Sequence, residues 1–110
     1  MTELEFTKHV EYCKRRIDRV FFEKNREYNR ENNPFHSFDR AASVSGQRPE
    51  EALFGFWLKH IVSILDILDD VEAGKLPTVE LLAEKTSDNI NYLILLEAML
   101  LRRIRDNDKA

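Results

Sequence analysis

Apolar residues recur at intervals of three and four along most of this chain, and short polar interruptions divide the pattern into four segments. The first begins at Thr2, with Glu5 three residues on, the spacing of a capping box that satisfies orphan backbone donors at a helix start. Phe6, Val10, Cys13, Ile17, Val20, Phe21 and Tyr28 then mark one face of a helix running to about residue 29, with Lys- and Arg-rich positions opposite. NRENNPFHS breaks the period, and Pro34 disfavours a helical conformation at Asn33, so residues 29–36 read as a loop. Ser37 is placed to cap a short helix carrying Phe38, Ala41, Ala42 and Val44, ended by Gly46 in a left-handed conformation.

Pro49, followed by Glu50 and Glu51, suits the first turn of a third helix, where a missing N–H costs nothing and acids complement the dipole. Leu53, Trp57, Ile61, Ile64, Leu68 and Val71 form its central stripe, flanked by Phe56, His60 and Ile67, and Gly74 closes it. After Leu76 and Pro77, Thr78 caps a fourth helix to about Arg105, with residues 105–110 expected as a frayed tail. The pattern therefore predicts one all-α domain over residues 1–110: an antiparallel bundle of three long helices plus one short helix. The stretch NYLILLEAMLLRRI is apolar nearly all the way round, which a chain this small has few layers to cover. A homodimer or higher homo-oligomer is the expected completion.

Composition narrows the class. At 110 residues, 43% hydrophobic and 34% charged, with only Gly 3 and Pro 3, the chain is neither disordered nor rich enough in turns for a β-sandwich. A net charge of −3 supplies no overall attraction for nucleic acid or anionic membrane. The single Cys13 forms no internal disulfide, no secretory signal is apparent, and no apolar run reaches the roughly 20 residues of a membrane span. A cytoplasmic protein is the expectation.

Candidate chemistry lies on the last two helices. On a helical wheel Leu81, Glu84, Asp88, Asn91, Leu95 and Ala98 share one inward-tending stripe interrupted by three polar groups. Two readings stay open there: a cleft holding a cation or ligand, or a wet face making surface hydrogen bonds. Lys59, Ser63, Asp66 and Asp70 make a second narrow polar stripe on the third helix. If the two helices are antiparallel neighbours, Asp66 and Asp70 approach Glu84 and Asp88, and such carboxylates would hold Mg²⁺. His9, His36 and His60 have no zinc-ligand spacing, and Cys13 reads as a small apolar residue. Residues 14–30 carry seven basic side chains against three acidic ones, either a phosphate-meeting patch or a solvated face with intrahelical pairs.

The segments KNREYNRENNPFHSF, KHIVSILDIL and EKTSDNINYLILLEAML resemble small, mostly uncharacterised bacteriophage and prophage proteins related to the nucleotide-modification-associated domain. The likeness covers about Lys24 to Leu101, with Asp88, Asn91 and Tyr92 matching the late acid, asparagine and tyrosine of those relatives. More loosely the layout is similar to the all-α NTP pyrophosphohydrolases of the MazG and dUTPase type, which hold Mg²⁺ with two pairs of acids. Asp88 matches the last of these acids. Lys85 stands where its partner is expected, Glu84 lies one residue early, and the third helix offers Ser63, Asp66 and Asp70 in place of the first pair. The resemblance implies a host-cell cytoplasmic protein that binds a nucleotide or nucleotide-derived ligand between helices three and four. Asp66, Asp70, Glu84 and Asp88 would face a cation, Lys59 or Arg40 a phosphate, Ser63 and Asn91 the ligand, and Tyr28 or Phe35 a base. Pyrophosphohydrolysis follows only if the cation site is complete. The alternative is an interaction module, such as a phage-encoded inhibitor of a host enzyme or defence complex.

Overall fold

A computed structural model describes residues 1–109. The chain forms α1 (Glu3–Tyr28), α2 (His36–Ser45), α3 (Pro49–Glu72) and α4 (Val79–Lys109), with no named strand among the described residues. The all-α expectation and the four-element order hold.

The boundaries follow local chemistry. Thr2 Oγ1 accepts the Glu5 N–H at 3.1 Å, and Thr78 Oγ1 accepts the Leu81 N–H at 3.1 Å, each satisfying a helix-start donor. Pro49 occupies the first turn of α3. Gly46, at φ 71°, ends α2, and the Gln47 N–H returns to Ala42 O at 3.0 Å.

Two expectations change. Ser37 does not cap α2 but lies inside it, because Asn33 organises the entry instead: its Oδ1 accepts the Phe35 N–H at 3.0 Å and its Nδ2 donates to Asp39 at 2.9 Å. Just before it, Arg30 and Asn33 exchange backbone hydrogen bonds across Glu31 and Asn32, both left-handed at φ 54° and 61°. Secondly, α4 continues past Arg105 to Lys109, since Asp106, Asn107 and Asp108 weaken a helix without breaking it. Ala110, the end of the expected frayed tail, lies outside the described residues.

Antiparallel pairing holds for α3 and α4: Glu50 meets Arg103, Trp57 meets Asn89, and Asn89 reaches back to His60 O. Partners of α1 on α4 instead ascend together, Arg16 with Ser87, Lys24 with Asp88, Asn25 with Asn91 and Tyr28 with Tyr92. The first helix thus lies across α4 in the parallel sense. Helices α1 and α3 both pack on α4 without packing on each other.

The core is small. Phe38, Leu53 and Met99 are fully enclosed, with Tyr92 and Leu95 completing the cluster and Tyr28, Phe35, Trp57 and Leu96 packed against it. It sits where α2 meets α3 and the middle of α4. Much of the expected apolar pattern lies outside it: Phe6 on α1 and Leu68 and Val71 on α3 are exposed. Two bidentate ion pairs tie the C-terminal part of α4 down, Arg102 to Asp39 and Arg103 to Glu50, and each guanidinium holds its carboxyl below the usual range.

Candidate functional site

The middle of α4 carries an unusual buried polar seam. Ser87, Asp88 and Asn91 are each at most 4% exposed, yet they follow one another along a face that is otherwise apolar. Burying such groups is costly unless they are paired, and here α1 supplies the partners. Arg16 Nε donates to Ser87 Oγ at 2.7 Å, Lys24 Nζ bonds Asp88 Oδ1, and Asn25 Nδ2 donates to Asn91 Oδ1 at 3.0 Å. Tyr28 and Tyr92 hydroxyls meet at 3.2 Å, and burial pushes the Tyr92 phenol well above its ordinary value.

From the other side α3 presents His60. Its Nδ1 lies 3.4 Å from Asp88 Oδ2 without a hydrogen bond, and the ring packs on Tyr92 at 5.1 Å. Burial lowers the His60 pKa from 6.5. The Asp88 charge opposes that, while Lys24, Lys85 and Lys59 add to it. Burial prevails because the carboxylate already answers Lys24. His60 is a neutral neighbour at neutral pH, not the second half of an ion pair.

Lys24, Asn25 and Tyr28 of α1, His60 of α3, and Asp88, Asn91 and Tyr92 of α4 therefore meet. Beside this seam α1 and α4 enclose a cleft of about 260 Å³ lined by Tyr12, Arg16, Arg19, Val20, Lys24, Glu84, Ser87 and Asp88. Arg16 is only 7% exposed, its guanidinium sits 5.3 Å over the Tyr12 ring, and neither it nor Arg19 pairs with a carboxylate among the described residues. A desolvated guanidinium without a counter-charge, next to a second one and an ammonium, is an anion-binding chemistry.

No protein-family model, curated protein or solved structure matches this chain.

The site residues expected from sequence are dispersed by the fold. Asp88 and Asn91 are at the seam, but their partners are Lys24 and Asn25 on α1 rather than acids on α3. Asp66 and Asp70 are exposed on α3, with Asp70 at the rim of a separate hollow near Pro77. Glu84 is exposed at the mouth of the α1–α4 cleft, 4.0 Å from Lys85. Among the described residues no three His, Cys, Asp or Glu side chains are grouped as metal ligands. Lys59 and Arg40 are exposed, on α3 and α2, and the Ser63 hydroxyl donates to Lys59 O. Tyr28 is held by Tyr92 and packed on Phe38, while Phe35 lies beneath Arg102, leaving neither free to stack. Cys13 is half-buried, its Sγ 3.3 Å from His9 Nε2.

Tyr12 is the residue missed; Arg16, Arg19 and Lys24 belong to the basic run over residues 14–30, for which a phosphate-meeting patch is one of the two open readings. A signal existed: they fall on one face of α1, inside the basic run between residues 14 and 30 and just before it. Glu23 and Glu27, interleaved on the same side of the helix, conceal it.

Proposed function

We propose that this protein binds a phosphate-bearing ligand of nucleotide type in the cleft between α1 and α4. The observation that carries this reading is Arg16, a buried guanidinium without a carboxylate partner, flanked by Arg19 and Lys24. These cations would take the phosphates, and the Tyr12 ring at the cleft edge is the aromatic surface within reach of a base. The phage-protein resemblance supports the same ligand class, and its first and third segments contribute Lys24, Glu84, Ser87 and Asp88 to this cleft. Binding without hydrolysis is the form favoured by the carboxylates, because Asp88 is committed to Lys24 while Asp66 and Asp70 lie on another surface.

Calorimetry with a panel of NTPs, dNTPs and cyclic dinucleotides, with and without Mg²⁺, tests this. Binding should persist without Mg²⁺, and Arg19→Ala should weaken it about tenfold, the worth of one charge-assisted hydrogen bond. Heat with none of the panel sinks the reading, and binding that requires Mg²⁺ returns the acidic residues to consideration.

A second reading is favoured by the apolar surface of α4: the chain acts by docking to protein, and self-association is its simplest form. Among the described residues no helix is long and apolar enough to cross a membrane, so that surface does not mark a span.

A further inference from the structure

One side of α4 faces α1 through Ser87, Asp88 and Asn91, and another faces α3 through Asn89, Tyr92 and Arg103. A third is left open, and it carries Leu93, Ile94, Leu100, Leu101 and Ile104, all exposed, around a hollow of about 580 Å³. The apolar surface continues onto α1, where Ile17, Phe21 and Phe22 line a second hollow of about 320 Å³ against the same Ile94. The spacing of Ile90, Leu93, Glu97, Leu100 and Ile104 is that of alternate seam positions over two heptads, the pattern by which one helix packs lengthwise on another.

The occupant is indicated by area. A compact monomer of this mass exposes about 6,300 Å² on the usual scaling, whereas this chain exposes 8358 Å². Its radius of gyration of 16.7 Å exceeds the about 13 Å of a compact chain of this length. The surplus of about 2,000 Å² per chain, about 4,000 Å² for two chains, lies in the range that obligate homodimers bury and is more than twice the standard interface of about 1,600 Å². A helical face that is apolar along its own seam is also self-complementary, as a two-fold interface requires.

We propose that this chain is one half of a homodimer closed through the open face of α4 and the adjoining Phe21 and Phe22 of α1. The proposal rests on the self-association reading above and gives it a surface. Glu97, the one charged residue lining the larger hollow, weakens the seam and fixes its register, as a polar group at a seam position does.

Sedimentation equilibrium of the full chain is the test. The wild type is expected at twice the chain mass at micromolar concentration. Ile94→Glu with Leu101→Glu should sediment as a monomer with unchanged helical circular dichroism, since both side chains are exposed in the single chain. Glu97→Leu should tighten the dimer about tenfold or more. A wild-type monomer throughout the micromolar range overturns self-association altogether, whatever else the face binds. A wild-type dimer that survives the double substitution with its affinity intact overturns this surface alone, and neither result bears on the calorimetry with nucleotides.

Discussion

Asp88 is the residue on which the seam turns. Its carboxylate is almost wholly out of water, and Lys24 is its partner, while His60 stands close by in neutral form. Removing one half of a buried pair costs about 3–5 kcal/mol, but the Lys24 side chain is 40% exposed, so Lys24→Met is expected to cost about 2 kcal/mol at neutral pH. The pH dependence is more diagnostic. Because the folded His60 pKa lies below 6.5, the unfolded chain binds a proton there that the folded chain does not. Its contribution is fully present above about pH 6.5 and lost as pH falls toward the folded value. Without Lys24 the Asp88 charge is unanswered and draws a proton onto His60, so this decline should flatten or reverse. Urea unfolding of both proteins at pH 7.5 and 5.5 measures it. If Lys24→Met loses as much stability on acidification as the wild type, His60 is not coupled to Asp88. Sequence alone marked Asp88 and Asn91 as anomalous polar positions. Their partners were not legible because a helical wheel orders residues within one helix and says nothing about which helix lies opposite.

At the scale of elements, the terminators were the legible part. Thr2, Gly46, Pro49 and Thr78 act through their own backbone neighbours, so composition and spacing were sufficient to place α1, α3 and α4 within a few residues. The entry to α2 differs from the Ser37 cap that spacing predicts because Asn33 acts through a turn with two non-glycine left-handed residues, a conformation that a Glu-Asn pair does not announce. Equal caps are not equal in consequence. Thr78 starts the helix against which α1 and α3 both pack, whereas residues 3–9 of α1 are exposed. Thr78→Ala is therefore expected to cost about 1 kcal/mol of global stability, and Thr2→Ala well under half of that because the first turns of α1 can fray locally. Chemical denaturation of the two variants decides the order. A larger loss at Thr2 would mean that the start of α1 is covered by something the single chain lacks.

At the scale of the whole molecule, the fold reads as a scaffold with one central helix and too few neighbours. Periodicity correctly indicated that α4 is apolar around most of its circumference, but it could not say which sides the chain itself covers. The structure answers that two are covered and one is open, and the core left inside is only Phe38, Leu53, Met99 and their immediate packing. A chain so thinly enclosed should draw part of its stability from association, which makes unfolding a reaction of two chains rather than one. The thermal midpoint should then rise with protein concentration. With an unfolding enthalpy near 0.7 kcal/mol per residue, a tenfold increase in concentration should raise it by about 3 °C. Reversible scanning calorimetry over two decades of concentration reads this directly, and Ile94→Glu with Leu101→Glu should unfold at a lower temperature that no longer depends on concentration. A midpoint constant in the wild type would mean that the small core alone holds the four helices together, and that the open face of α4 adds nothing to their stability.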